Sequence, residues 1–388
     1  MGWLLDGDAA VAIPDAAILV VDGRFAAVGP HLSVPDPDDC DRVDWPWAGA
    51  LPGLIDAHVH VTFSASRDVI ATLESESDND LVERGVANAE RLLRAGVTTA
   101  VDRGARNMTG YAVRDAITSG RALGPRLLVS GRPITRSGGH THQLGGEADG
   151  IDGVRRAVRE RAREGADGIK IVAGGGMLTP SRHPSESSYS TQILAAATEE
   201  AHLHGLRIAA HAHGVDAIRA CVEAGVDSVE HGTMLDGAGR WAFDWPLARL
   251  MAERGVVAVP GVADSLDNSH NLISAGVRVI AGTDVGVDGT DFTSELYREL
   301  LAFVAIGSTP MEAILAATSS AADALGLDNG IGRVKVGGVA DLLIVGGRPD
   351  ENILALGSPA LVLSAGRRIQ PRTPTVPAPA VTLTSAGF

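Results

Sequence analysis

Residues 52–60 read Pro-Gly-Leu-Ile-Asp-Ala-His-Val-His, an apolar run that ends in two histidines one residue apart. Side chains alternate along a β-strand, so His58 and His60 share a face and can hold one metal ion together. Histidine is the commonest metal ligand and also an ordinary surface residue, so the pair alone leaves a metal site and an accidental spacing both open. Further groups able to bind a cation recur along the chain. They are Lys170 in Gly-Ile-Lys-Ile, His211 and His213 in Ala-His-Ala-His-Gly, His231 in Ser-Val-Glu-His-Gly, and Asp284 in Ala-Gly-Thr-Asp. Imidazole nitrogen with carboxylate oxygen is a donor set for a divalent ion that activates water. With only Cys40 and Cys221, placed in different parts of the chain, there is no thiolate motif and no disulfide framework. A metal here must use nitrogen and oxygen.

These residues need a scaffold, and one local pattern supplies it: a helical stretch, then glycine, then a β-rich apolar run. It appears at 94–102, 164–172, 204–211, 224–231, 254–260 and 275–284. Glycine just past a helix takes the left-handed conformation that lets the chain leave for a strand. Adding the strand that ends at His60 and a shorter one at 126–130 gives about eight strands alternating with helices, the requirement of an α/β (β/α)8 TIM barrel. A doubly wound open sheet is the alternative. It would normally carry a phosphate loop, and the run Gly174-Gly175-Gly176 lacks the GxGxxG spacing and the Walker lysine.

Outside this region both chain ends are β-rich. Residues 16–29 read as a hairpin with Asp22-Gly23 at its turn, and 340–347 with 360–369 read as further short strands. The expected division is residues 1–53 and 331–370 forming one small β-sandwich domain, and residues 54–330 forming the barrel. The Pro-rich tail, 371–388, is expected to be poorly ordered.

The 388 residues are 45% hydrophobic and 21% charged, enough for a large packed core. Lys and Arg total 33 against 48 Asp and Glu, a formal charge of -15 that repels nucleic acid and anionic membranes at long range. The first residues lack the basic and apolar regions of a signal peptide, and no run reaches the roughly 18 apolar residues of a membrane span. The expectation is a cytoplasmic protein acting on a small molecule.

Functional groups of a TIM barrel sit at the C-terminal ends of its strands. There the sequence places His58 and His60 on the first strand, Lys170 on the fourth, His211 on the fifth, His231 on the sixth and Asp284 on the eighth. Singly, Lys170 reads equally as a snorkelling surface residue, His211 or His231 as a core histidine, and Asp284 as a helix N-cap. Jointly, their recurrence at strand ends points to one metal site.

With these motifs, and with Gly-Gly-Val-Ala-Asp-Leu at 337–342, nearly the whole chain resembles the amidohydrolase superfamily of metal-dependent hydrolases, in its imidazolonepropionase-like and prolidase-like branch. The resemblance implies that His58, His60 and Asp284 bind a first metal, that His211 and His231 bind a second, and that Lys170 bridges both as a carbamate formed with carbon dioxide. The family pattern favours His211 over His213, which shares its face. Zn²⁺ suits such ligands, and two ions about 3.5 to 4 Å apart share a water whose pKa falls to near 7. The implied reaction is attack of that hydroxide on an amide carbonyl, with Asp284 accepting the proton and passing it to the departing amine.

His140, in the Gly-Gly-His segment at 138–140, is an expected substrate or oxyanion contact, and His142 lies beside it. Arg103, Arg106, Arg182 and Tyr189 are candidates for a substrate carboxylate. Mononuclear relatives, including deaminases, usually carry Glu three residues after the fifth-strand histidine, where this chain has Gly214, and they lack the carbamylated lysine. That favours a binuclear C–N hydrolase. The expected substrates are Xaa-Pro dipeptides, N-acyl amino acids or ochratoxin-like amides, with cyclic amides, imidazolones and carbamates as alternatives. A catalytically silent barrel would normally lose a ligand, and all six positions are kept. The resemblance also suggests a homo-oligomer.

Overall fold

The computed structural model describes residues 1–8, 12–179, 182–357 and 359–372. Most of the tail expected to be poorly ordered, residues 373–388, lies outside the described residues.

Eight parallel segments close into a ring. Leu54–Val59, Val97–Asp102 and Arg126–Val129 pair side by side, as do Ile169–Val172, Ile208–Gly214, Ser228–Leu235 and Val257–Val259. Two narrower links join these sheets. Ile134, just past the third strand, donates to the Lys170 carbonyl and accepts from the Val172 amide, each at 2.8 Å. The eighth segment accepts from Ala258 at the Arg278 carbonyl, 2.9 Å, and on its other side donates from the Asp284 amide to the His58 carbonyl, 2.8 Å. The expected (β/α)8 barrel is therefore present, and its last joint lies between the residues that carry His58 and Asp284.

The barrel follows from local chemistry. The six glycines of the repeated pattern, from Gly96 to Gly276, all have φ between 68° and 98°, which only glycine adopts without strain. All residues of Leu54–Val59 and of Val97–Asp102 are buried, as expected for parallel strands covered on both faces. The helix Asp78–Arg94 opens with a capping box between Ser77 and Asp80 and buries Leu81, Gly85, Asn88, Ala89, Leu92 and Leu93, one stripe at helical spacing.

The chain ends meet in a second sheet ordered Arg367–Ile369, Pro359–Ser364, Leu342–Gly346, Ala48–Pro52, Trp3–Leu4, Ile13–Pro14. Its central pair joins Leu342–Gly346 to Ala48–Pro52 in antiparallel register, so the sheet needs both ends of the chain. The hairpin Ala16–Val21 with Arg24–Pro30 turns at Asp22 (φ 49°) and Gly23 (φ 75°), and packs on the sheet through Ala16 and Phe25 against Leu4, Ala50 and Leu342. Cys40 is exposed and Cys221 buried, both free. Among the described residues no helix is long and apolar enough to cross a membrane.

Candidate metal centre

The strand ends surround a cavity of about 390 Å³ lined by His58, His60, His140, Lys170, His211, His213, His231 and Asp284. Alternation carries His58 and His60 inward together, and the same holds for His211 and His213. His58 Nε2 and His60 Nε2 each lie 3.2 Å from Asp284 Oδ1. His60 donates Nδ1–H to the Gly104 carbonyl at 3.0 Å, which fixes the tautomer and leaves Nε2 facing the cavity. His211 donates Nε2–H to the Gly175 carbonyl at 2.8 Å and so keeps Nδ1 as its free lone pair. His213 pairs through Nδ1 with Thr233 Oγ1 at 2.8 Å. The His231 ring centroid lies 4.6 Å from that of His211, 4.7 Å from His213 and 5.4 Å from His58. His231 (φ 63°) and Asp284 (φ 56°) both hold the left-handed backbone that non-glycine residues avoid. Such strain concentrates at functional sites, where the surrounding fold enforces it.

Burial, followed by mutual repulsion among the imidazoles and Lys170, pulls His58, His211 and His231 well below the ordinary histidine range. The same causes bring His140 down to about 3, and burial with Lys170 brings His213 to about 4. Burial also strips the charge from Lys170, whose ammonium is held well below its usual range. Burial works against the Asp284 carboxylate too, but His60, whose Nε2 lies 3.2 Å from Oδ1, holds it below the ordinary carboxylate range. His58, His140, His211, His213 and His231 are thus neutral, Lys170 is a neutral amine and Asp284 a carboxylate, the protonation states in which such groups ligate metal.

Two further observations fit cations to this donor set. His58 Nε2 is sealed from solvent with no hydrogen-bond partner. Three groups bring their ligand atoms within 4.8 Å of one another: His58, His60 and Asp284; His211, His213 and His231; and His58, Glu230 and His231. Behind them Asp56 accepts from Thr283 Oγ1 at 2.7 Å and from the His58 amide at 3.2 Å, locking the first strand to the eighth. Burial pushes its carboxyl up to about 7 against these hydrogen bonds.

All six proposed ligands therefore reach one cavity, and His140 joins them with its ring centroid 4.7 Å from His211. The candidates for a substrate carboxylate fare differently. Arg106 is spent on Asp78 and on the Leu73 and Glu76 carbonyls, Tyr189 donates to the Ala148 carbonyl at 2.7 Å, and Arg182 donates to the Gly138 carbonyl at 2.7 Å. His142 turns to the Gly139 carbonyl at 2.9 Å. None of these four lines the cavity. Arg103 does, but its Nε lies 3.0 Å from Glu230 Oε1 and 3.2 Å from the Ala57 carbonyl.

Glu230 escapes a reading by alternation, which sends it away from the barrel axis if its neighbour His231 points inward. Val229 instead packs into the outer core and Ser228 faces inside, so Glu230 is turned the other way. The left-handed turn at His231 then brings the next side chain inward as well. The Gly174–Gly176 run has a role other than phosphate binding. Gly175 supplies the carbonyl for His211, and a Cβ at Gly176 would lie 2.4 Å from His140 Nε2.

A barrel that gathers imidazoles, a carboxylate and a desolvated lysine at its C-terminal end is built as a metal-dependent hydrolase. The profile of the amidohydrolase family matches residues 50–369, and the chain belongs to that family and is a hydrolase. Ochratoxinase of Aspergillus niger is 28% identical over 423 aligned positions, covering 93% of this chain and 83% of that protein. Imidazolonepropionase of Rubrobacter xylanophilus is also 28% identical, over 90% of this chain and 88% of its own. Among solved structures, an Xaa-Pro dipeptidase with methionine bound in its active site superposes with a TM-score of 0.85 at 27% identity, covering 95% and 98% of the two chains.

Proposed function

We propose that this protein is a binuclear metal-dependent amidohydrolase that cleaves the C–N bond of a small amide bearing a free carboxylate. The observation that carries the reading is the convergence of His58, His60, Lys170, His211, His231 and Asp284 on one cavity. His58, His60 and Asp284 would hold one cation and His211 and His231 the other, with Zn²⁺ the best match to nitrogen and oxygen donors. Lys170, held as the free amine by its burial, would add carbon dioxide, losing a proton to water, and so supply an anionic ligand to the site. When bound, the cations supply an acidified water and polarise the substrate carbonyl.

The remaining work falls to side chains. Asp284, ionised beside His60, accepts the proton of the attacking water and returns it to the departing nitrogen. His140, neutral and with a ring nitrogen free of partners, would donate to the oxygen that gains charge. His213 sits next to His211 and remains a second possible donor to the same cation. Phe63, Leu144, Leu178 and Leu235 give the cavity apolar walls that exclude water around the amide.

An Xaa-Pro dipeptide ends in a carboxylate, and the likeness to a dipeptidase and to ochratoxinase supports that substrate class. The likeness to imidazolonepropionase favours a cyclic amide as the second reading. On a panel of Xaa-Pro dipeptides, N-acyl amino acids, ochratoxin-type amides, lactams and imidazolones, purified protein loaded with Zn²⁺ should hydrolyse members of the first three classes. Turnover of lactams or imidazolones alone would replace the first reading with the second, and inactivity towards the whole panel would sink both.

A further inference from the structure

A buried ion pair, Arg103 with Glu230, stands against Lys170 and takes no part in the hydrolytic steps above. Glu230 is fully sealed, and Lys170 and Arg103 are 4% and 5% exposed. Arg103 Nε lies 3.0 Å from Glu230 Oε1, while Oε2 contacts Lys170 Nζ and is 3.8 Å from His58 Nε2. Lys170, His58 and His231 line the cavity and Glu230 does not. Arg103 also borders a small second cavity with Asp167, Arg207 and Asp227, residues at the starts of strands. Glu230 therefore stands behind Lys170, between it and the opposite end of the barrel.

Carboxylation joins Nζ of the neutral amine to the carbon of carbon dioxide. One N–H bond breaks and its proton leaves to water, so the nitrogen becomes planar and keeps a single N–H. That N–H needs an acceptor, because an unsatisfied donor at a site this buried costs about 1 to 3 kcal/mol. An N–H directed at Glu230 leaves the new carboxylate on the other side of the nitrogen, towards the imidazoles. We propose that Glu230, paired in charge with Arg103 and with both carboxylate oxygens free of hydrogen bonds, is a positioning residue that receives the remaining N–H of carboxylated Lys170 and thereby aims its carboxylate into the metal site. This rests on the carboxylated-lysine reading of the proposed function. Arg103 has the complementary task of neutralising Glu230, which otherwise would place a second buried negative charge beside the carbamate.

The test uses the full-length protein stripped of metal, titrated with ¹³C-bicarbonate in the presence of Zn²⁺. The carbamate carbon is followed by NMR and bound zinc by elemental analysis. In Arg103→Met/Glu230→Leu, which removes both charges together, half-maximal carbamate should need at least tenfold more bicarbonate than in the wild type. Glu230→Gln, whose amide oxygen still accepts the N–H, should recover much of that loss, a pattern that mere destabilisation would not give. Should the double variant fail to fold, Glu230→Gln alone decides, with a rise of a few-fold expected. Unchanged bicarbonate dependence overturns the proposal. So does full carbamate with lost zinc, which would make Glu230 a direct ligand through its grouping with His58 and His231. A wild-type protein that binds zinc without any carbamate signal instead refutes the lysine reading on which the proposal stands.

Discussion

Replacing Gly176 with Ala should disable His140 without touching a proposed ligand. The backbone at Gly176 is not left-handed, so alanine is compatible with its conformation. The obstacle is the neighbour, since the added Cβ would lie 2.4 Å from Nε2, 2.6 Å from Cε1 and 2.7 Å from Cδ2 of the His140 ring. Heavy atoms rest about 3.5 to 4.0 Å apart, so ring or loop must give way by about 1 Å. A displacement of that size at a reacting centre costs about 10²-fold. This corresponds to about 2.7 kcal/mol of transition-state stabilisation. The assay is kcat/KM on the amide found by the substrate panel, with zinc content as a control for the neighbouring Gly175–His211 bond. His140→Ala should produce a comparable loss, and the double variant should lose little more, because both changes remove one function. A Gly176→Ala enzyme with near-normal kcat/KM would refute the placement of His140 at the reacting carbonyl, as would fully additive losses.

Asp284→Asn should lower kcat by about 10² to 10⁴ while most of the zinc stays bound, read by steady-state kinetics beside elemental analysis, and a near-normal rate would remove Asp284 as the base. Lys170→Ala should fall below two zinc ions per chain and lose any response to bicarbonate during reconstitution; unchanged metal content would contradict the carbamate. In metal-free protein the folded-state pKa values of His140 and His213, about 3 and about 4, lie below the unfolded value of 6.5. The unfolded chain therefore binds more protons as the pH drops, so this stability is complete above pH 6.5 and is lost on acidification towards the folded values. Each such histidine contributes about 1.4 kcal/mol per pH unit within that window, and a urea midpoint that stays flat between about pH 7 and 5 would contradict it.

The scaffold was legible because its signals are local. Gly165 and Gly255 follow amphipathic runs and precede apolar ones, and each caps a helix in the left-handed conformation. Asp22-Gly23 marked its hairpin for the same reason. The convergence of the candidate ligands on one cavity was legible because a barrel presents strand ends to one cavity, so a polar residue closing an apolar run has only one place to go. Side chains that depart from simple alternation were not legible. Glu230 reads as outward until the φ of His231 is known, and Arg106 reads as a loop cation until its bonds to Asp78 and the Glu76 carbonyl are seen.

The sequence by itself therefore determined the repeating helix–glycine–strand order, the β-rich chain ends and the chemical identity of the candidate metal-binding set, all of which depend on residues close together in the chain. Only the tertiary structure decided which of those groups meet. The last joint of the barrel brings Asp284 to within 3.2 Å of His58 and His60. A strained residue turns Glu230 and His231 into the same interior, where Arg103 meets Glu230 and Lys170. Such contacts depend on ring closure and on backbone conformations enforced from outside the segment, and no local pattern encodes them.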